Sequence, residues 1–206
     1  MQSRQPKSEI TKAKILAAAE TEFSDKGFFG ARIDEIAERA GVNKRMIYEH
    51  FASKENLYRE TLFSVYKKLA ECESGFYVDN LDPRLAIKNV IYVYFKFLDE
   101  TPHFVRMLMW ENLNNAASLS AEEVRKLKAP TLDYISRQIK RGKDEHVFRE
   151  DVDEYQIVVS LMNFGFSYFS NIHTLSAILG KDMTDSAEVL KRAEFVSNMI
   201  LEYLVI

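Results

Sequence analysis

Five side chains within one short stretch, Lys44, Arg45, Tyr48, His50 and Lys54, are of types that grip a polyanion. An arginine can donate two hydrogen bonds to O6 and N7 of guanine, while a lysine ammonium, a tyrosine hydroxyl and helix N-terminal amides suit phosphate oxygens. The same residues would also suit the solvated face of two ordinary core helices, and side-chain type alone leaves both readings open. Nothing comparable suits catalysis, which needs a nucleophile, an acid-base pair or a metal converging on one place. The four histidines, at 50, 103, 146 and 173, lack metal-ligand spacing, there is no glycine-rich phosphate loop, and Cys72 falls mid-helix without an evident base. As the single cysteine it also excludes an intrachain disulfide and a cysteine-built zinc site. Neither an enzyme nor a cofactor is expected.

The elements that must position the five are readable from spacing. Ile33, Ile36, Ala37 and Ala40 fall at i, i+3, i+4 and i+7, the stripe of a short amphipathic helix. Gly41 can take the left-handed conformation that closes it, with Val42 plugging the corner. Asn43 is a good N-cap for a second helix to about Phe51, with Ile47 and Phe51 inward. Two short helices about a glycine turn make a helix-turn-helix. Upstream, a helix from Ile10 carries Leu16, Ala19 and Phe23 on one face and stops at Gly27; it is expected to brace the pair, with Lys12 and Lys14 near enough to meet DNA backbone. Residues 1–9 form a polar arm bearing Arg4 and Lys7, suited to minor-groove or phosphate contact or to simple fraying.

These residues resemble the DNA-binding segment of the TetR family of bacterial transcriptional regulators. The likeness runs from ITKAKILAAAETEFSDKGF (10–28) through IDEIAERAGV (33–42) to NKRMIYEHFASKENLY (43–58). The family's usual Ser-Lys-Gly-Thr-Leu-Tyr at the start of the recognition helix corresponds to Asn43, Lys44, Arg45, Met46, Ile47 and Tyr48. The resemblance implies that Lys44 and Tyr48 hold phosphates or base edges, that Lys54 holds a phosphate, and that Arg45 lies nearest the bases, with Asn43, Met46 and His50 on the same surface. Arg45 stands where the family often has a small residue, so the operator is expected to differ. Ala31-Arg32 replaces a Thr or Ser cap, leaving Arg32 to supply the phosphate contact of that hydroxyl.

The resemblance also implies an all-α chain: an N-terminal three-helix bundle (1–53) with the helix-turn-helix, then a larger helical ligand-binding and dimerisation domain (54–206). Composition agrees, with 47% apolar residues and only 7 Gly and 4 Pro among 206. Through Lys54 there are ten Lys and Arg against eight Asp and Glu, and thereafter eighteen against twenty-three, a basic head on an acidic body. With no long apolar run and no apolar signal core, no membrane partner is expected and the cytoplasm is the expected location.

In the body, helices are expected over 54–74, from Pro83 to about Asp99, from Pro102 with Phe104, Val105, Leu108 and Met109 inward, and from Ser120 to about Arg141 with Leu127, Thr131, Ile135 and Ile139 inward. From Val152 to about Asn171, Tyr155, Val158, Leu161, Met162, Gly165, Tyr168 and Phe169 share a face while Ile157, Phe164 and Phe166 occupy others. The last helix, 186–204, sets Val189, Ala193, Val196, Ile200, Tyr203 and Leu204 on one face with Phe195 and Met199 beside it. Helices apolar on several faces need partners on several sides. A homodimer through a four-helix bundle is expected, using Tyr155, Val158, Met162, Phe166, Phe169, Phe195, Met199 and Tyr203; the alternative is two helices wholly buried in a monomer. The resemblance implies a small effector bound among the helices that follow the one expected over 54–74. The candidates are Tyr94, Met107, Trp110, Glu111, Asn114, Asn163, Phe164, Tyr168 and His173, each of which also has an ordinary reading as core, cap or loop residue. The implied partners are a near-palindromic double-stranded operator, a second copy of the chain and a small-molecule effector that releases a repressor; the rival is control by a protein partner or by no ligand.

Overall fold

The computed structural model describes residues 7–78 and 80–206, so Arg4 of the expected N-terminal arm lies outside them. Among the described residues ten helices run in order: α1 (Lys7–Gly30), α2 (Ile33–Ala40), α3 (Lys44–Phe51), α4 (Lys54–Ser74), α5 (Pro83–Glu100), α6 (Pro102–Leu113), α7 (Ala121–Asp144), α8 (Glu154–Ser170), α9 (Ile172–Leu179) and α10 (Ser186–Leu204). The fold is all-α; among the described residues the extended backbone pairs only at an isolated antiparallel bridge between Phe148 and Val205. The chain forms two compact units. One takes the described residues through Lys68 with Arg106–Val124; the other takes Leu69–Val105 with Arg125–Ile206.

The first unit is built on α1, α2, α3 and the start of α4. Ile15, Ala19 and Phe23 of α1, Ile36 of α2, Ile47 and Phe51 of α3 and Leu57, Tyr58 and Leu62 of α4 are buried, while Leu16 is half-buried. Gly41 ends α2 at φ 64 and ψ 36, and Asn43 caps α3 by accepting a hydrogen bond from the Met46 N–H at 2.9 Å. The Phe23 and Tyr58 rings meet edge to face at 4.8 Å. Gly27, expected to stop α1, is the non-helical residue inside it, at φ 66 and ψ 179. That combination is essentially reserved for glycine. A Cβ there would lie 2.7 Å from the Trp110 ring, whose Nε1–H donates to the Ser24 carbonyl at 3.2 Å. Arg106 adds an ion pair to Asp25 at 2.6 Å, so one side of α6 is sewn to α1.

The register of α6 differs from expectation. Met109 is 39% exposed, whereas Met107, named as an effector candidate, is fully enclosed, with Glu111 buried one turn further on. Sequence 107–109 is apolar throughout and offers no frame; the helix settles with 107 and 111 inward.

In the second unit α5, α8 and α10 pack on one another. Most apolar side chains of α5 are enclosed, Ala86, Ile87, Ile91, Phe95 and Leu98 among them, while Leu85 is exposed. Gly165 of α8 permits close approach to α5, since a Cβ there would stand 2.6 Å from the Tyr94 ring. The face of α8 turned inward is Ile157, Leu161, Gly165, Tyr168 and Phe169, which splits the set expected to share a face. Phe169, assigned to a dimer surface, packs into this unit's own core 5.9 Å from Phe95. On α10 the expected stripe of Val189, Ala193, Val196, Ile200 and Leu204 is buried, but Tyr203 is exposed. The stretch after Asn171 is a further helix, α9, closed by Gly180 at φ 61, with none of its residues buried.

Candidate nucleic-acid interface

The outward face of α3 follows from its cap and its two anchors. With Ile47 and Phe51 buried, the 3.6-residue period turns Lys44, Arg45 and Tyr48 to solvent, leaving Met46 and His50 half-buried. The Asn43 side chain is spent on capping. Arg45 is 86% exposed, and its Nε pairs with Glu49 one turn on at 2.8 Å. Lys44 pairs with Asp34 of α2 at 3.0 Å, and the hydrogen bond and charge of that carboxylate raise the ammonium above its ordinary range. Of these two carboxylates only one is readable from spacing. Glu49 was visible as an i+4 partner, whereas Asp34 meets Lys44 only once the turn at Gly41 folds α3 back on α2.

Two further expected contacts are already engaged inside the unit. The Lys54 ammonium donates to the Ala31 carbonyl at 2.6 Å and lies 4.9 Å from the Phe28 ring centroid, which ties the start of α4 to the end of α1. Lys12 pairs with Glu60 at 3.3 Å and sits over Phe51. Arg32 is exposed and holds the N-cap position of α2 without a side-chain cap; its backbone N–H donates to buried Glu22 at 3.2 Å.

The effector candidates divide between the units. Met107, Trp110, Glu111 and Asn114 belong to the first; Tyr94, Asn163, Phe164, Tyr168 and His173 belong to the second. Glu111 accepts from the Ser118 N–H at 3.1 Å, and the buried Tyr58 hydroxyl lies against the same carboxylate. Burial, and then the Glu111 charge, push the Tyr66 hydroxyl up to about 12. Tyr94 is packed against Gly165, Tyr168 donates to the Met183 carbonyl at 2.7 Å, Phe164 is half-buried, and Asn163 and His173 are exposed. A small cavity of the second unit, about 10 Å³, is lined instead by Glu73, Phe76, Tyr77, Asn89, Val90, Val93 and Thr131. Beside it Lys128 and the Thr131 hydroxyl both donate to buried Glu73 at 2.5 Å, and burial lowers the Lys128 ammonium although Glu73 pulls the other way. That pair, 55 residues apart in the chain, had no signal in the sequence.

Of the residues assigned to a dimer surface, Tyr155 (72%), Met162 (45%), Phe195 (59%) and Tyr203 (46%) are exposed, and Val158, Phe166 and Met199 are half-buried. Cys72 is half-buried, and burial, then Glu73 and Glu100, push its thiol up, away from nucleophilic use.

Comparison with known proteins bears on both units. The sequence profile of bacterial regulatory proteins, tetR family, matches residues 15–61, and that of the tetracyclin repressor-like C-terminal domain matches residues 83–200. The chain belongs to the TetR family. A TetR-family relative, the HTH-type transcriptional repressor NicS of Pseudomonas putida, is 31% identical over 205 residues, covering 98% of this chain and 95% of its own. The HTH-type transcriptional regulator RutR of Escherichia coli is 28% identical over 194 residues, 93% of this chain and 89% of its own. Among solved structures, the transcriptional regulator SCO4942 of Streptomyces coelicolor superposes with a TM-score of 0.72 at 22% identity, covering 94% of this chain and 98% of its own. The fatty acid degradation regulator FadR of Bacillus halodurans gives 0.72 at 16% identity, covering 97% of each chain, a likeness of TetR fold alone. This TetR-family chain is thus a DNA-binding regulator, and no helix among its described residues is long and apolar enough to cross a membrane.

Proposed function

We propose that the chain is a repressor that reads a near-palindromic operator as a homodimer and is released by a small molecule. The observation that carries the reading is the outward face of α3, where Arg45 stands 86% exposed between Lys44 and Tyr48 on a helix anchored by Ile47 and Phe51. Arg45 reads a base, Lys44, Tyr48 and Arg32 hold phosphates, and Met46, His50 and the residue at the cap, Asn43, complete the surface. One short helix makes too few contacts for a specific complex, whereas two related by a two-fold axis read major grooves about 34–36 Å apart. The name of the Pseudomonas putida relative supports repression as the sign.

Selection of bound sequences from random duplex DNA, with and without a crude metabolite extract, tests the reading. A near-palindromic site enriched without extract and lost with it is the expected result, and the absence of any enriched site would remove it. On the selected operator, Arg45→Ala is expected to lose about 1–3 kcal/mol of discrimination at one base pair, while Lys44→Ala weakens all sequences alike. Uniform loss in both would make Arg45 a phosphate contact. Lys54→Ala is a poorer probe, because it also cuts the tie to Ala31.

The dimer reading is supported by Tyr155, Met162, Phe195 and Tyr203, large apolar or aromatic groups that α8 and α10 leave in water, joined by Leu190 at 60% exposure. Phe195→Glu together with Met162→Glu places two charges in that surface and is expected to raise the dimer dissociation constant by about two orders of magnitude or more, measured by sedimentation, with helix content unchanged.

A second reading is control of the second unit by a protein partner or by no ligand; one cavity there, beside Glu73, has about 10 Å³, room for no more than a single water. Metabolites that lower the melting temperature of the operator complex would decide for the ligand.

A further inference from the structure

The first unit contains an open crevice of about 550 Å³, in the size range of small-molecule sites, and no residue assigned above to DNA lines it. Its walls are the end of α1 with Phe28 and Phe29, the first turns of α4 from Ser53 to Arg59, and the loop after α6 with Asn114, Ala117 and Ser118. Three features are unusual for mere surface. Phe29 stands 82% exposed with its ring edge against Phe28 at 5.3 Å, an aromatic wall facing water. The Arg59 guanidinium and the Asn114 side-chain amide make no hydrogen bond or ion pair with any described residue. The loop wall is held in a costly shape, with Asn115 and Ala116 at φ 56 and 55, fixed by the Ala116 N–H on the Glu111 carbonyl at 2.7 Å and the Ser118 N–H on the Glu111 carboxylate at 3.1 Å. Non-glycine residues persist in that region only where their surroundings over-determine it, and such strain collects at ligand clamps.

The charge balance names the ligand. The one carboxylate on the wall, Glu55, is held below its ordinary range by its own backbone N–H and then by the Ser53 hydroxyl, so it is turned to the start of α4. Arg59, one turn further on, is left as the unanswered charge. We propose that this crevice binds a small organic carboxylate with a flat apolar body, the carboxylate on Arg59, the body along Phe28 and Phe29, and the Asn114 amide completing the polar end. The proposal goes beyond the effector reading above, because it sets a ligand on the DNA-binding unit itself and stands or falls independently of any site in the second unit.

The test is calorimetric titration of the full chain with 2-naphthoate and with neutral 2-naphthamide. Naphthoate is expected to bind about tenfold more tightly than the amide, Arg59→Gln to erase that difference, and Phe29→Ala to weaken both. Arg59 and Phe29 are exposed, so both variants fold. Equal binding of naphthoate to wild type and Arg59→Gln, equal binding of the two probes, or no heat from naphthoate at millimolar concentration would each overturn the proposal. So would an Arg59→Gln variant whose naphthoate binding is intact but whose affinity for duplex DNA falls, since Arg59 would then serve a phosphate of the operator.

Discussion

Lys128→Met is expected to destabilise the second unit by about 3–5 kcal/mol, because it strands the Glu73 carboxylate, 5% exposed, with only the Thr131 hydroxyl beside it. The ion pair itself is no great source of stability, since removing two charges from water costs about what their attraction returns. The asymmetry supplies the test. The double variant Glu73→Leu with Lys128→Met removes both charges and is expected to recover most of the loss, leaving Tyr77, which donates to the Thr131 hydroxyl at 2.7 Å and stacks on Tyr134 at 4.6 Å, to hold the place. Thermal unfolding followed by far-ultraviolet circular dichroism reads all three. A double variant as unstable as the single one would mean that the pair fixes the geometry of α4 and α7 rather than merely satisfying itself.

Gly27→Ala is expected to cost the first unit about 3 kcal/mol or more. Two terms combine: a backbone conformation that L-residues avoid, about 1–3 kcal/mol, and a methyl group forced into the Trp110 ring. Gly41→Ala separates them. Gly41 has φ 64 as well, but nothing lies within 4 Å of its Cβ position, so that variant carries strain alone, about 1–2 kcal/mol. Trp110 is the sole tryptophan, and its emission reports the first unit during urea unfolding. If Gly27→Ala costs no more than Gly41→Ala, the indole has yielded and its hydrogen bond to Ser24 is not a firm tie.

These sites also mark what a sequence can and cannot disclose. The helix-turn-helix was legible because every determinant is local: a stripe of four residues, a glycine that takes the left-handed turn, an asparagine that caps, and two apolar anchors that orient the cations. Ser53 is the same kind of signal, with the Asn56 N–H on its hydroxyl at 3.1 Å. The inner face of α6 was not legible, because its stripe runs through Glu111, a buried carboxylate that reads as surface. Nor was α9 legible: Asn171 alone separates it from α8, without a glycine such as the one that turns the chain at Gly41 or Gly180. On α8, apolar residues lie all round the helix, so periodicity could not tell which of them, Tyr155 or Phe169, faced inward. Only the close pass of Gly165 against Tyr94 settles that register. The partners of two candidate cations, Asp34 for Lys44 and Glu60 for Lys12, lie on other helices and come within reach only through the fold.

Those carboxylates alter the ionic economy of any encounter with DNA. A lysine or arginine that waits in solution with a mobile anion beside it releases that anion when it meets a phosphate, and dilution of the released salt drives binding. Asp34, Glu49 and Glu60 are tethered counterions: they stand in for the mobile anions and remain attached when displaced. The chain therefore gains less from ion release than its number of cations suggests, and non-specific duplex, which offers charge and nothing else, is the partner that loses most by it.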